Sequence, residues 1–256
     1  MLNSEKLSFS GDEAVSMSLQ LFEYCKAAGL DPRATKDWKT AIYKLFGVVI
    51  INPPDFDNNN YILAANHISD FDAVILGLLH PQIRIISKIG WATNKELMSI
   101  VSLHYDIISI YRDNDISALD DDEQKAAARK HNYNSTISAI KHLKQGAKGQ
   151  HLLVFPQGTI SDINKNSIER INPGFAKMAF AAKTALVDVF IEYPAMGGKT
   201  RIVCGQSYHI TDRNRDHRQQ WLDNTIALQN ALADGVRQPI LSEKHAKNNN
   251  PGEPYF

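Results

Sequence analysis

Short apolar runs alternate along the chain with longer stretches in which apolar residues recur every three or four positions. The short runs are Val48–Ile51, Tyr61–Ala65, Ile83–Ser87, Ile107–Tyr111, Leu152–Phe155, Val187–Tyr193 and Arg201–Gly205. They are rich in Ile, Val and Phe. Several lack strict alternation, which predicts strands covered on both faces. The longer stretches predict helices at Glu13–Ala28, Lys36–Phe46, Phe71–His80, Asn94–Leu103, Asp122–Gln145, Gly174–Lys183 and about Arg218–Gly235. Strands separated by helices of this length predict an α/β fold, a central mainly parallel or mixed sheet flanked by helices, with an N-terminal helical pair in front. Pro53–Asn60, Asn114–Glu123 and the polar tail carry the least pattern.

This divides the chain into a helical pair over 1–46, an α/β domain over 47–241 and a flexible tail over 242–256. In Lys36–Phe46 the residues Trp38, Ala41, Ile42, Leu45 and Phe46 fall on one stripe, with Lys36, Lys39 and Lys44 outside it. Two readings fit. The pair packs on the core, or it rests on a bilayer surface with Trp38 and the lysines at headgroup level.

Composition narrows the function classes. The chain has 256 residues, with 28 Lys plus Arg against 28 Asp plus Glu, so its formal net charge is zero. A dedicated nucleic-acid binder carries a basic excess, so no nucleic-acid partner is expected. No run approaches the roughly 20 apolar residues that span a bilayer. The start, MLNSEKLSFSGDE, lacks the apolar core of a signal peptide. Cys25 and Cys204 have no metal-ligand spacing and fit a reducing compartment. Peripheral membrane contact remains open, because it needs only one amphipathic surface. Neutrality also conceals a local bias. From Lys141 to Lys183 the chain carries Lys141, Lys144, Lys148, Lys165, Arg170, Lys177 and Lys183 against Asp162 and Glu169. That is either a solvated face or a surface for anionic headgroups, acyl carriers or the phosphates of CoA.

Chemistry concentrates where strands end. Asn66-His67-Ile68-Ser69-Asp70-Phe71-Asp72 follows the Tyr61–Ala65 strand and enters a helix. Reacting groups in α/β folds gather at such strand ends. His67 is the side chain best suited to proton exchange near neutral pH. Asp72 lies five residues on, so it reaches the imidazole only if the turn folds back over the first helical turn. The alternative is a loop histidine beside two first-turn acids, with Ser69 or Asp70 as N-cap. Phe155-Pro156-Gln157-Gly158-Thr159-Ile160-Ser161 ends a second strand and presents backbone N–H groups and hydroxyls, or is an ordinary turn. Arg112, after Ile107–Tyr111, is a solvated strand end or a bidentate anchor for phosphate or carboxylate. No third ligand accompanies His67 with Asp70 or Asp72, so no metal is expected. His80, His104 and His151 read as surface or strand-end residues, and Trp91, Trp221 and Tyr43 as core or interface aromatics.

Together these segments resemble the glycerolipid acyltransferases, the group with an HxxxxD motif that includes 1-acylglycerol-3-phosphate acyltransferase. The first family motif, N-H-x-S-x-x-D, corresponds to Asn66–Asp72. The second, a strand ending in Arg, corresponds to Ile107–Arg112. The third, F-P-E-G-T-R-S, corresponds to Phe155–Ser161, and the fourth, a strand ending in Pro, to Val187–Pro194. Lys88 resembles a lysine that often follows a strand between the first two motifs. Gly174 resembles a later glycine step. Two positions depart from the family: Gln157 stands where Glu is usual, and Ile160 where Arg is usual.

The resemblance implies an O-acyltransferase of phospholipid biosynthesis. It would move a fatty acyl group from acyl-CoA or acyl-ACP to a hydroxyl of a lysophospholipid or glycerol-phosphate-type acceptor, with the thioester as co-substrate and no cofactor. His67 and Asp72 are then the catalytic pair. Asn66, Lys88, Arg112, Phe155, Pro156, Gln157, Gly158 and Thr159 are the substrate-binding candidates, with backbone N–H groups near Gly158 facing the oxyanion. The implied place is the cytoplasm, peripheral on the cytosolic face of a membrane. The missing guanidinium at Ile160 bears on a phosphate acceptor, and Lys165 or Arg170 can supply a substitute. A non-phosphate acceptor, or a non-catalytic lipid- or carrier-binding relative, is the alternative.

Overall fold

The computed structural model describes residues 11–69, 71–89, 95, 101–144, 147–158, 160, 171–193, 199–212 and 215–233, with side chains from residue 19 onward. Seven strands form one sheet: β1 (Val49–Ile51), β2 (Tyr61–Ala65), β3 (Ile83–Lys88), β4 (Asp106–Ile110), β5 (His151–Val154), β6 (Ala185–Glu192) and β7 (Arg201–Cys204). Their order is β1-β7-β6-β2-β5-β3-β4. Every neighbouring pair is parallel except β6 with β7. The fold is therefore α/β with a mixed sheet, as the alternation of elements implies.

Helices cover both faces. The helices among the described residues are α1 (Gly11–Ala27), α2 (Thr35–Phe46), α3 (Asp72–Leu76), α4 (Asp113–Ser117), α5 (Asp122–Lys144), α6 (Gly174–Ala182) and α7 (Arg218–Ala233). Successive strand residues point to opposite faces. Leu63 and Ala65 of β2 join one core with Trp38, Ile42, Val74 and Leu76 from α2 and α3. Ile62 and Ala64 join the other with Leu143, Phe175, Ala179 and Trp221 from α5, α6 and α7. All five residues of β2 are buried. That double coverage is why its sequence shows a run rather than an alternation. The Trp221 indole N–H donates to the Ala64 carbonyl at 3.1 Å, locking α7 beneath the end of β2.

Several elements differ from their predicted form. The helix expected over Phe71–His80 keeps only Asp72–Leu76. Beyond it Leu78 and Leu79 bond three residues back, to Ile75 and Leu76, and Pro81 then disfavours helix at His80. Gly77 sits here because Tyr105 leaves no room: a Cβ would lie 2.2 Å from Tyr105 Cε1. The patternless Asn114–Glu123 holds most of α4. Asp115 organises that turn by accepting from the Arg112 backbone N–H at 2.9 Å. Most of the Asn94–Leu103 helix, Trp91 and the tail lie outside the described residues.

The N-terminal pair packs on the core. Trp38 is fully buried and stacks on His104, with ring centroids 4.6 Å apart, so it does not stand at a headgroup level. Lys39, expected outside the apolar stripe, is 5% exposed. His104 and His151 are likewise interior. His151 is fully buried at the start of β5, among Phe56, Tyr61 and His80, and burial drives its pKa down to about 3. An apolar strand partner on each side leaves its imidazole no route to solvent.

Candidate active site

Parallel pairing brings the C-terminal ends of β2, β5, β6, β3 and β4 to one edge. That edge collects residues scattered over more than 120 positions of chain.

Asn66 begins the construction. It is 1% exposed, and its side chain mimics a strand residue. Its amide oxygen accepts the Ile191 N–H at 2.7 Å, and its amide nitrogen donates to the Ile191 carbonyl at 3.0 Å. The β2–β6 ladder is thus carried one step further by a side chain while the main chain turns away. Asn66 braces the turn rather than facing an open space.

The turn then folds back as the five-residue spacing requires. His67 Nδ1 lies 2.9 Å from Asp72 Oδ2. The same oxygen accepts the Ile68 N–H at 2.7 Å and the Ser69 N–H at 2.9 Å. Asp72 Oδ1 accepts the Tyr193 hydroxyl at 2.8 Å. Asp72 is fully buried, and the Ile68 N–H, Ser69 N–H and Tyr193 hydroxyl all donate to it, which is the setting of a carboxylate. A carboxylate only accepts, so the imidazole proton sits on Nδ1 and the Nε2 lone pair is left outward. The His67 side chain keeps 15% exposure. Ser69 Oγ accepts the Phe71 N–H at 3.0 Å, so it closes the turn just ahead of α3.

The end of β5 supplies the other walls. Phe155 stacks on the His67 ring at 4.2 Å between centroids. Gln157 is 3% exposed, and its Oε1 accepts the His67 backbone N–H. That donor fixes which end of the amide faces His67. The Gln157 Nε2 is consequently a buried donor without an acceptor among the described residues. The Pro156 carbonyl accepts the Asn172 N–H at 2.6 Å and ties this turn to the start of α6. Gly158 adopts φ +68, a left-handed conformation that glycine tolerates at no steric cost. Its N–H donates to the Phe155 carbonyl at 2.9 Å, so this one group is engaged within the turn. Thr159, Asp70, Ser161 and Pro194 lie outside the described residues, as do Lys165 and Arg170.

Lys88 and Arg112 share the edge but not the cluster. β4 is three strands from β2, roughly 14 Å along the sheet at about 4.8 Å per strand. The Arg112 fork is engaged: Nε and one terminal nitrogen donate to Asp115 at 3.0 and 2.9 Å. That pairing holds the Asp115 carboxyl below its ordinary range. Lys88, at the end of β3, is exposed.

Two side chains that brace this edge are not marked as such in the sequence. Tyr193 is visible there only as the end of an apolar strand, and Asp115 only within the patternless Asn114–Glu123. Burial and the adjacent Asp72 push the Tyr193 hydroxyl well above its ordinary range, so it remains a donor. Neither thiol is a nucleophile here. Both cysteines are buried, and burial raises Cys204 to about 12. Among the described residues no three His, Cys, Asp or Glu side chains converge as a metal site.

A doubly covered mixed sheet with a His–Asp pair at its strand ends is one of the settings used for proton-assisted group transfer. The chain belongs to the acyltransferase family, whose model, described as Acyltransferase, matches residues 47–192, more than half of the chain. No curated protein matches it. Among solved structures, the crystal structure of the 1-acyl-sn-glycerophosphate (LPA) acyltransferase, PlsC, from Thermotoga maritima is similar. It is 14% identical over 91% of this chain and 90% of that one, with a TM-score of 0.47. No helix among the described residues is long and apolar enough to cross a membrane.

Proposed function

We propose that the chain is an O-acyltransferase that moves a fatty acyl group from an acyl-CoA or acyl-ACP thioester to a hydroxyl of a lysophospholipid or glycerol-phosphate-type acceptor. The observation that carries this reading is the 2.9 Å contact from His67 Nδ1 to Asp72, which leaves the Nε2 lone pair outward. His67 Nε2 takes the acceptor's hydroxyl proton as the oxygen attacks the thioester carbonyl. Asp72 stabilises the imidazolium, and Tyr193 holds Asp72. Collapse of the tetrahedral intermediate breaks the C–S bond, and the imidazolium returns the proton to the departing thiol. Gln157 and Phe155 fix the backbone and ring plane of the base. Lys88 and Arg112 would meet the acceptor's anionic group, with Arg112 shared with Asp115. Thr159 is assigned to substrate binding on the motif resemblance alone.

The decisive assay follows acyl transfer from a thioester to a panel of lysolipid acceptors. A positioned general base contributes about 10²–10⁴-fold, so folded His67→Ala loses at least roughly 10²-fold in turnover. Retained turnover in that variant sinks the mechanism.

A non-phosphate acceptor is the second reading. It is favoured by the engaged Arg112 fork and by Ile160. An Ile160→Arg variant rescreened on phosphate-bearing acceptors distinguishes the two, because a shift of preference toward phosphate assigns that position to specificity. Work on a cytosolic membrane face is consistent with exposed Leu19 and Leu45 on the N-terminal pair. Liposome sedimentation that falls in Leu19→Glu/Leu45→Glu supports that placement, and unchanged sedimentation refutes it.

A further inference from the structure

The basic stretch between Lys141 and Lys183 takes no part in the chemistry above. The fold gathers three of its lysines at the opposite end of the sheet. Lys144, Lys148 and Lys183, with His209, line a cavity of about 670 Å³. It lies where β2 and β6 begin, beside the paired Tyr61 and Ala185, between the C-terminal ends of α5 and α6. From Tyr61 to His67 is six residues of roughly extended chain, about 20 Å at 3.3 Å each. The cavity is therefore remote from the base.

Its walls are fixed. Asn60 donates to the carbonyls of Leu143 at 2.8 Å and Ala147 at 3.1 Å, and accepts the Gln150 N–H at 3.0 Å. This side chain holds the end of α5 against the floor. Among the described residues none that lines it is acidic. The nearby Asp55 is turned to Asn58, which bonds both of its carboxylate oxygens. Among the described residues none of the three ammonium groups is in an ion pair.

Helix-end lysines ordinarily balance the helix dipole. Each C-terminus carries about half a negative charge, so two helices balance about one ammonium. Three are present. The last carbonyls of α6 are moreover already bonded, at Phe180 by the Lys183 N–H and at Ala179 by the Thr184 N–H. Lys183 itself stands in a left-handed conformation, φ +55, at a cap position where glycine or asparagine is the easy choice. The lysine in that conformation is exposed.

We propose that this cavity is a second, non-catalytic binding site for a molecule carrying phosphate groups, held by Lys144, Lys148 and Lys183. Ammonium groups are good phosphate partners as compact charges. The surrounding amides and hydroxyls of Asn59, Thr184 and Ser207 supply neutral contacts. The phosphate can belong to a soluble compound or to a lipid headgroup.

Calorimetric titration of the full chain with pyrophosphate tests the site, and vesicles of phosphatidylcholine with and without phosphatidic acid distinguish the sources. Saturable pyrophosphate binding is expected. It weakens at least about tenfold in Lys144→Gln/Lys148→Gln/Lys183→Asn, since hydrogen bonds to charged groups are the strong ones. It is unchanged in Lys130→Gln, an exposed lysine of α5 fourteen residues before Lys144. If only phosphatidic acid vesicles distinguish wild type from the triple variant, the phosphate is a lipid's. Lys148→Glu alone is a second variant that alters one exposed side chain. Equal binding by wild type and the lysine variants overturns the proposal, as does saturable binding of neither probe.

Discussion

Replacing Asp72 by Asn separates the charge of the site from its geometry. The Ile68 and Ser69 N–H groups, at 2.7 and 2.9 Å, demand an oxygen at the Oδ2 position. The amide nitrogen must then take the Oδ1 position, where the Tyr193 oxygen can accept from it. His67 Nδ1–H still meets an oxygen, so the tautomer and ring orientation survive. Only the negative charge opposite the developing imidazolium is lost. Two unit charges about 4 Å apart interact by about 4 kcal/mol at an effective dielectric of about 20. That corresponds to roughly a thousandfold in turnover at about 1.4 kcal/mol per decade. The assay is steady-state acyl transfer with a thermal melt of the same preparation. We expect a folded Asp72→Asn protein with kcat down about 10³-fold and KM little changed. A folded variant within about tenfold of wild type refutes the claim that Asp72 acts through its charge.

Further expectations follow from packing and titration. Tyr193→Phe removes one of the four donors to Asp72 and is expected to lower kcat about three- to tenfold, with no shift of KM; an unchanged kcat denies Tyr193 a positioning role. Gly77→Ala drives a Cβ into the Tyr105 ring, whose hydroxyl is tied to the Val74 carbonyl at 2.9 Å, so the melting temperature falls by the equivalent of about 1–3 kcal/mol. A melting point within error of wild type would mean that Tyr105 swings aside. Gln157→Leu strands the His67 N–H and costs at least about tenfold in activity, whereas Gln157→Glu keeps the acceptor and stays within about threefold.

The pH dependence of stability has a definite sign. His151 titrates at about 3 folded, because of burial and the neighbouring His80 and His142, against about 6.5 unfolded. Between those values the unfolded chain binds more protons, so stability falls as pH drops from about 6.5 to about 3, by up to about 1.4 kcal/mol per unit. Asp188 opposes this in part. Burial raises it to about 6 despite its bonds from Asn224 and Tyr208, so its contribution is lost as pH rises from about 3.8 to about 6. His151→Phe, which removes the titrating imidazole, lowers the acid-unfolding midpoint followed by circular dichroism. An unmoved midpoint would assign acid lability elsewhere.

Strand and helix identity was legible because periodicity survives in buried runs. Tyr61–Ala65 was delimited to the residue, and other strands came within two residues at each end. The shortened α3 was not legible, since Ala73–Leu79 is apolar throughout and only the Tyr105 ring against Gly77 reveals the constraint. The turn linking His67 to Asp72 was readable as a possibility from spacing alone, but its bracing was not. Asn66 meets Ile191, and Tyr193 meets Asp72, across sequence separations of 125 and 121 residues. Local pattern carries no information about such pairings. Trp38 shows the opposite failure: an amphipathic stripe looks the same whether it faces lipid or protein.

The Asn66–Ile191 bridge also sets a timetable. During synthesis the wholly apolar β2 emerges long before β6, its partner on one side, because Ile191 follows Asn66 by 125 positions. At about 5–20 residues per second the wait is about 6–25 s. Throughout it, a strand whose edges and faces are all destined for burial stands open to other chains. Expression yield of this protein should therefore respond more to chaperone supply and translation rate than to the equilibrium stability of the finished fold.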